Sequence, residues 1–411
     1  MAAGRACQTS GMRRATEEWG ILGAVFLDLL GFGMLVADIQ LRAEKLTPAG
    51  WPKGLIIGAL LGSTFVIQLL VSPKWGHFSD RRGRKPVVVA CTVLSALAML
   101  TYGFASSIWI LLLSRVLSGL GAANVAVAQA FISDRYEGEK RTAALGRIGA
   151  AISLGLIVGP PLGGFLSHLA SSNYFNAPPQ FLVGIVAGTA SLVGAAAVTF
   201  TLPDVPPAAE QSPGKRPVID LTLLRDLPHL RPLILIATVA WISLATLEGT
   251  FARLIEHYFG YGALEFGFLF GYESLLAIVV QGAILAWILR RWKETPLLRS
   301  AYVLQGVGLA LNPASALFAP TIPPLVTLFG ASTLYAFGSS VANPTVNGLC
   351  SRLAPDDRQG ELFGLLQGAR SLGFVVGPMV GGVLFDWIPA APYLLAGGVC
   401  VAAALLVPKT D

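Results

Sequence analysis

Seven ionisable side chains stand inside stretches that are otherwise apolar: Asp28, Arg115, Arg147, Glu248, Arg253, Glu273 and Arg370, with Glu256 close behind them. Asp28 lies within GAVFLDLLGFGMLV, and Arg370 is set deep in a run of glycine, leucine and valine. A charge at the middle of a bilayer costs about 2.5 to 3.5 kcal/mol on insertion scales, so such a residue is a functional candidate by default. The chemistry open to a carboxylate there is uptake and release of a proton, or pairing with a buried arginine. By count Asp28, Glu273 and Arg370 are near span centres. Arg147 and Glu256 are near the ends of their runs, where a long side chain can snorkel to water. A structural salt bridge, for example between Arg370 and Glu273, is the alternative reading of those two. Neutral polar groups could complete a cavity: Gln68, Asn124, Gln129, Gln281, Asn343, Asn347 and Gln367. Trp241, Phe251 and Tyr272 offer either faces for a flat solute or ordinary packing.

The elements that must hold these groups are membrane helices. The chain is 54% hydrophobic and only 13% charged, against about 25% charge in soluble domains. Runs long enough to cross about 30 Å of hydrocarbon fall near 20–40, 54–71, 86–106, 108–132, 143–169 and 181–202. Six more fall near 233–258, 266–289, 297–318, 324–350, 362–387 and 391–407. The runs do not alternate, which disfavours a β-barrel. Forty-six glycines suit close helix approach in lipid. Residues 1–18 read as a polar tail, 203–232 as a linker rich in Pro, Asp, Arg and Lys with a short surface helix near 221–227. The bundles are then 19–202 and 233–408.

A net charge of +6 does not point to nucleic acid, because the basic residues cluster in short loops. Loops after even-numbered spans carry Lys74, Arg81, Arg82, Arg84 and Lys85, then Arg135, Lys140 and Arg141, then Lys215, Arg216, Arg225 and Arg231, and later Arg290, Arg291, Lys293, Arg352 and Arg358. Loops after odd-numbered spans hold little beyond Arg42, Lys45 and Lys53. The positive-inside rule then puts both termini and the linker in the cytoplasm. No phosphate-binding G-x-x-x-x-G-K-[ST], nucleophile elbow or metal-spaced histidine cluster is present, so neither an enzyme nor a cofactor is implied. The four cysteines are scattered, without disulfide or metal spacing.

Two segments repeat. Residues 153–166 read SLGLIVGPPLGGFL and residues 371–384 read SLGFVVGPMVGGVL, each in the fifth run of its half. Six plus six spans with matching fifth members resemble the two-half arrangement of the major facilitator superfamily, whose solute site lies near the midplane between halves. The resemblance extends to motifs. After the second span, Gly76-His-Phe-Ser-Asp80-Arg81-Arg-Gly83-Arg84-Lys85 is similar to the superfamily signature G-x-x-x-D-R-x-G-R-K, with Asp134 in the place of the carboxylate that ends the fourth helix. This implies a cytoplasmic latch. The matching loop of the second half, residues 290–294, lacks the Gly and Asp, so the latch reads as one-sided. Gly155-x-x-x-Gly159-Pro160-Pro161-x-Gly163-Gly164 is similar to the motif that marks drug/proton antiporters, with ordinary glycine packing as the alternative. Ser114-Arg115-Val-Leu-Ser-Gly119 resembles the R-x-x-x-G of the fourth helix, linked there to proton transfer. Asp28-x-x-Gly31-x-Gly33 resembles the opening of the tetracycline-resistance-like efflux pumps, although those have two prolines where this chain has Ala37 and Gln40.

The resemblance therefore implies an all-α membrane protein of twelve transmembrane helices in two pseudo-symmetric six-helix bundles. The third, sixth, ninth and twelfth spans, uncharged in their cores, would face lipid. The implied activity is proton-coupled efflux of a small amphipathic molecule, tetracycline-like in type, across the cell's inner or plasma membrane. Asp28, Arg115, Glu248, Glu273, Arg370, Gln68, Asn124, Gln129, Asn343 and Asn347 are the candidate coupling and cavity residues. Partners are then a small-molecule substrate, protons and lipid, with no nucleic acid, and a monomer contains a complete pathway. An uptake symporter or facilitator for a sugar or organic acid, and a non-transporting receptor or scaffold, stay open beside it.

Overall fold

The structure, a computed structural model, describes residues 2–136, 138–172, 177–203, 222–355 and 358–407. The helices are α1 (Ala2–Leu46), α2 (Lys53–Arg82), α3 (Arg84–Gly103), α4 (Ile108–Gly121), α5 (Asn124–Arg135), α6 (Gly138–Ala170) and α7 (Pro179–Thr201). After the linker come α8 (Thr222–Asp226), α9 (Arg231–Phe259), α10 (Ala263–Val279), α11 (Leu285–Arg291), α12 (Glu294–Phe318), α13 (Pro324–Leu353), α14 (Gln359–Trp387) and α15 (Ala391–Leu406). Most of the linker, 204–221, lies outside the described residues, with Lys215 and Arg216 in it; its short helix is α8. Among the described residues there is no strand, and eleven helical stretches are long and apolar enough to cross a membrane, with α15 a shorter twelfth. Helices are the open-chain solution in lipid, because they satisfy every backbone amide internally.

Two spans are interrupted. The fourth breaks at Ala122 and Ala123 into α4 and α5, and Gln68 donates to the Ala122 carbonyl at 3.3 Å, satisfying a group the break frees. The eighth carries a π-helical turn, Val280–Ile284, between α10 and α11. Prolines inside α6, α13 and α14 are tolerated because neighbouring helices re-satisfy the freed carbonyls. At Gly83, φ is 92°, which lets the chain turn from α2 straight into α3.

The chain divides into two compact units, Met1–Ile39 with Val66–Ser212, and Gln40–Phe65 with Pro213–Asp411. The end of α1 and the start of α2 thus belong with the later helices, a grouping that differs from a cut at the linker. Its cause is glycine. A Cβ on Gly54 would stand 1.8 Å from the Gly382 carbonyl oxygen, and one on Gly58 would stand 2.4 Å from that of Pro378. Ion pairs reinforce the seat. Arg253 bonds Glu44 at 2.8 Å and Asp386 at 3.0 Å, and Asp386 also accepts the Gly54 amide at 2.6 Å. Gln40 donates to the Glu248 carbonyl at 2.5 Å and accepts the Ala252 amide at 3.2 Å.

Each repeat motif seats its helix on the first helix of its half. In the first unit a Cβ at Gly155 would meet Leu30 N at 2.8 Å, at Gly159 the Gly33 Cα at 2.8 Å, and at Gly163 the Met34 carbonyl oxygen at 2.1 Å. In the second, Gly373 and Gly377 lie against Trp241, Ile242 and Thr246 of α9, and Thr246 donates to the Gly377 carbonyl at 3.2 Å. α3 packs on α7, and α12 on α15. Overpacking such a crossing costs about 1 to 3 kcal/mol. Gly163→Ala is therefore expected to lower the thermal unfolding midpoint in detergent, while Gly330→Ala, with nothing within 4 Å of the added carbon, leaves it unchanged or raised. Equal midpoints would show that α1 and α6 part without strain.

Candidate functional site

In the first unit, α1 brings Asp28 to the middle of its bundle, where it is 7% exposed. Asn124, at the head of α5, donates to Oδ2 at 3.0 Å, and Ser191 of α7 donates to Oδ1 at 3.3 Å. Ser95 of α3 is a third hydrogen-bonding neighbour. All three are neutral, and among the described residues Asp28 makes no ion pair. Amides and hydroxyls can reorient to serve either state of the acid. The break between α4 and α5 is what places Asn124, since it exposes the first turn of α5 to α1.

A second acid lies further along α1. Asp38 is 5% exposed; it accepts a short hydrogen bond from the Tyr102 hydroxyl and another from Ser167 at 3.2 Å. Arg115, 4% exposed, lies over the Tyr102 ring at 5.8 Å and donates to Ser114 at 3.0 Å. Tyr102 thus stands next to both a carboxylate and a guanidinium. Asp38 was not among the candidates from sequence. Asp38 follows Asp28 by ten residues, near the end of the same apolar run, and the D-x-x-G-x-G spacing marks only the first.

The second unit holds the other set. Glu273 of α10 is 8% exposed and accepts from Ser332 at 2.5 Å. Glu248 of α9 lies within electrostatic reach of both Glu273 and Arg370. The Arg370–Glu273 salt bridge weighed from sequence does not form. Arg370 instead lies over Trp241, 5.0 Å from the ring centre, because α14 is rotated by its glycines to lay that face on α9. Tyr272 reaches Thr333 at 2.7 Å. Phe251 is core, packed on Phe266. Gln129 is exposed, and Asn343 and Asn347 are half-buried on α13.

At one end of the first unit, Arg84 bonds Asp80 at 2.5 Å, Asp134 at 2.8 Å and Ser79 at 2.8 Å. Arg81 is exposed, and Gly76, inside α2, has no neighbour that a Cβ would meet. Close approach is therefore not what Gly76 supplies. Nearby, Glu17 pairs with Arg135 at 2.9 Å, while Glu18 pairs with Arg147 and accepts from Tyr136 at 2.7 Å. The second unit has a counterpart that a search for Gly and Asp could not find. Glu294, heading α12, pairs with Arg352 near the end of α13, tying the ninth span to the tenth as Arg84 and Asp134 tie the third to the fourth. The signs are exchanged. Arg358 adds bonds to Glu361 at 2.7 Å and Asp226 at 2.8 Å, which together hold its guanidinium above its ordinary pKa.

Residues 21–322 and 306–410 match the Major Facilitator Superfamily. The chain belongs to that superfamily. This facilitator is 26% identical over 377 residues to multidrug resistance protein 1 of Bacillus subtilis (strain 168), covering 92% of this chain and 91% of the relative. It is 28% identical over 366 residues to the class B tetracycline resistance protein of Escherichia coli, covering 88% and 86%. The solved structure of the nucleoside transporter NupG superposes with a TM-score of 0.71 at 13% identity, over 95% of this chain and 97% of that one. The protein is accordingly a multi-pass membrane transporter built on the facilitator fold, and not an enzyme.

In this facilitator the tie between Asp28 and Asn124 is measurable. A hydrogen bond to a charged group contributes about 1.5 to 3 kcal/mol. Asn124→Ala is expected to destabilise by that order in detergent melts, and by clearly less in an Asp28→Asn background; equal losses in both backgrounds would show that the two side chains are not energetically coupled. The Arg352–Glu294 pair is partly exposed, and such pairs contribute about 0 to 1 kcal/mol. Exchanging its signs by Arg352→Glu with Glu294→Arg is expected to restore the melting point that either single reversal lowers.

Proposed function

We propose that this transporter exports small amphipathic organic molecules, of the multidrug and tetracycline kind, in exchange for protons, by alternating access. It would act as a monomer in the cell's plasma or inner membrane, with both termini in the cytoplasm. The single observation that carries the reading is Asp28, a carboxylate at membrane depth whose hydrogen-bonding neighbours Asn124, Ser95 and Ser191 are all neutral. A charge so placed gains by taking a proton, and loses that gain when water reaches it. Glu273, held by Ser332, is a second acid for the same work, and Arg115 beside Tyr102 is the cation that would feel a proton move in the first unit. The names of the relatives, multidrug and tetracycline resistance proteins, support an organic substrate and an outward direction.

The Arg84 cluster would be the latch of the cycle, with Asp80 and Asp134 held together by different nitrogens of one guanidinium. One proton falling through about 100 mV releases about 2.3 kcal/mol, enough for about fiftyfold accumulation at tight coupling. Purified protein in inverted, energised vesicles is expected to release protons, read as dequenching of a pH dye, on addition of an amphipathic drug from a panel that includes a tetracycline. Asp28→Asn should abolish the signal. Protons drawn the opposite way by sugars or organic acids would make it an uptake symporter. Flux unchanged by substituting both Asp28 and Asp80 would remove the coupling role from these acids.

A further inference from the structure

The buried arginines of this protein are answered by other side chains. Arg253, 3% exposed, holds two carboxylates, and Arg115 donates to Ser114 and lies over Tyr102. Arg370 is different. Among the described residues it makes no hydrogen bond and no ion pair, and Glu248, though within electrostatic reach, stands beyond ion-pair distance. What it has instead is rings. The guanidinium carbon lies 5.0 Å from the Trp241 ring centre and 5.8 Å from that of Phe374. Phe374 is stacked in turn on Phe65, 4.5 Å between centres and 24° between planes, and Trp241 lies 6.2 Å from Phe374. The three rings come from α2, α9 and α14 and belong to one compact unit.

The Arg370 side chain is nevertheless exposed. An unpaired cation is too costly to keep against lipid, and water is the medium that would suit it. A guanidinium presents five N–H donors in a planar fork. With its face on Trp241, the edge of that fork stays free to take a carboxylate through two parallel bonds, while the aromatic floor beside it stacks a flat ring. Glu273 is not an equal attraction for a cation, since Ser332 already bonds it and it is buried.

We propose that Arg370, on its floor of Trp241, Phe374 and Phe65, is the binding point for the acidic group of a flat aromatic organic anion, and that such anions are a substrate class of this transporter. This rests on the export reading for its direction and coupling, but the site itself does not require proton exchange. Glu248, set back from the cation, would repel the bound acid when ionised and so favour its release.

The test is calorimetric titration of the full chain, in nanodiscs of zwitterionic lipid, with three probes that share a naphthyl ring and carry an anionic, a neutral and a cationic head group: 2-naphthoate, 2-naphthamide and 2-naphthylmethylammonium. Loss of a charge-assisted pair is expected to cost about tenfold in affinity or more, so the acid should bind at least that much tighter than the other two. Arg370→Gln should bring the acid to the level of the amide. Arg370→Lys, which keeps charge without the fork, should fall between, and Trp241→Ala should weaken all three alike. Melting curves identify any variant that fails to fold, and the lysine variant then carries the comparison. Tightest binding of the ammonium, acid affinity untouched by Arg370→Gln, or no binding of any probe would overturn the proposal. So would loss of naphthoate binding as anionic lipid is added, which would give the site to a headgroup. Charge-selective binding without proton release in vesicles would leave the site standing and sink antiport; proton release with cationic drugs and no binding of the acid would do the reverse.

Discussion

In hydrocarbon no water stands ready to satisfy an amide, a carbonyl or a charge, and nearly every feature of this transporter follows from that. The backbone answers by forming helices, whose bonds are all internal. Apolar side chains gain nothing by leaving lipid for one another, so the helices are held by close contact between small residues and by a few polar ties. Gly155, Gly159 and Gly163 let α6 lie on the backbone of α1, while Gly373 and Gly377 do the same for α14 on α9. A stretch that looks like a signature of one transport mode is, in its geometry, a pair of helix seats. The two meanings are compatible, because a seat that fixes one helix rotation also fixes which polar groups turn inward.

The charges obey the same constraint in several ways. At the helix ends they pair, as Arg84 does with Asp80 and Asp134, or Glu294 with Arg352. The two pairs make the same kind of tie between neighbouring spans with the signs exchanged. Near the ends of α1 and α14, Arg253 gathers Glu44 and Asp386 and lies over Phe385 at 4.4 Å. Asp28 takes only neutral donors, and Arg370 takes only aromatic faces. Neither makes an ion pair among the described residues.

Much of the candidate site was legible beforehand. Asp28, Glu273 and Arg370 stood out because a charge in an apolar run is costly wherever it points, and Asp134 was found because a spacing named it. Asp38 was overlooked although it lay in plain view, and the Glu294–Arg352 tie was missed because its residue types are the inverse of the pattern sought. An Arg370–Glu273 bridge requires a particular rotation of each helix about its axis, which sequence does not supply.

Sequence by itself determined the number of membrane helices, their order and the repeat, since run length and periodicity are properties of neighbours along the chain. Tertiary structure decided which faces meet. It grouped Gln40–Phe65 with the later helices, brought Glu44 and Asp386 to Arg253, broke the fourth span where Asn124 could reach Asp28, and laid Arg370 on Trp241. The physical reason is that a helix places a side chain only up to a rotation about its own axis. That rotation is fixed by how closely another helix, hundreds of residues away, can approach a glycine.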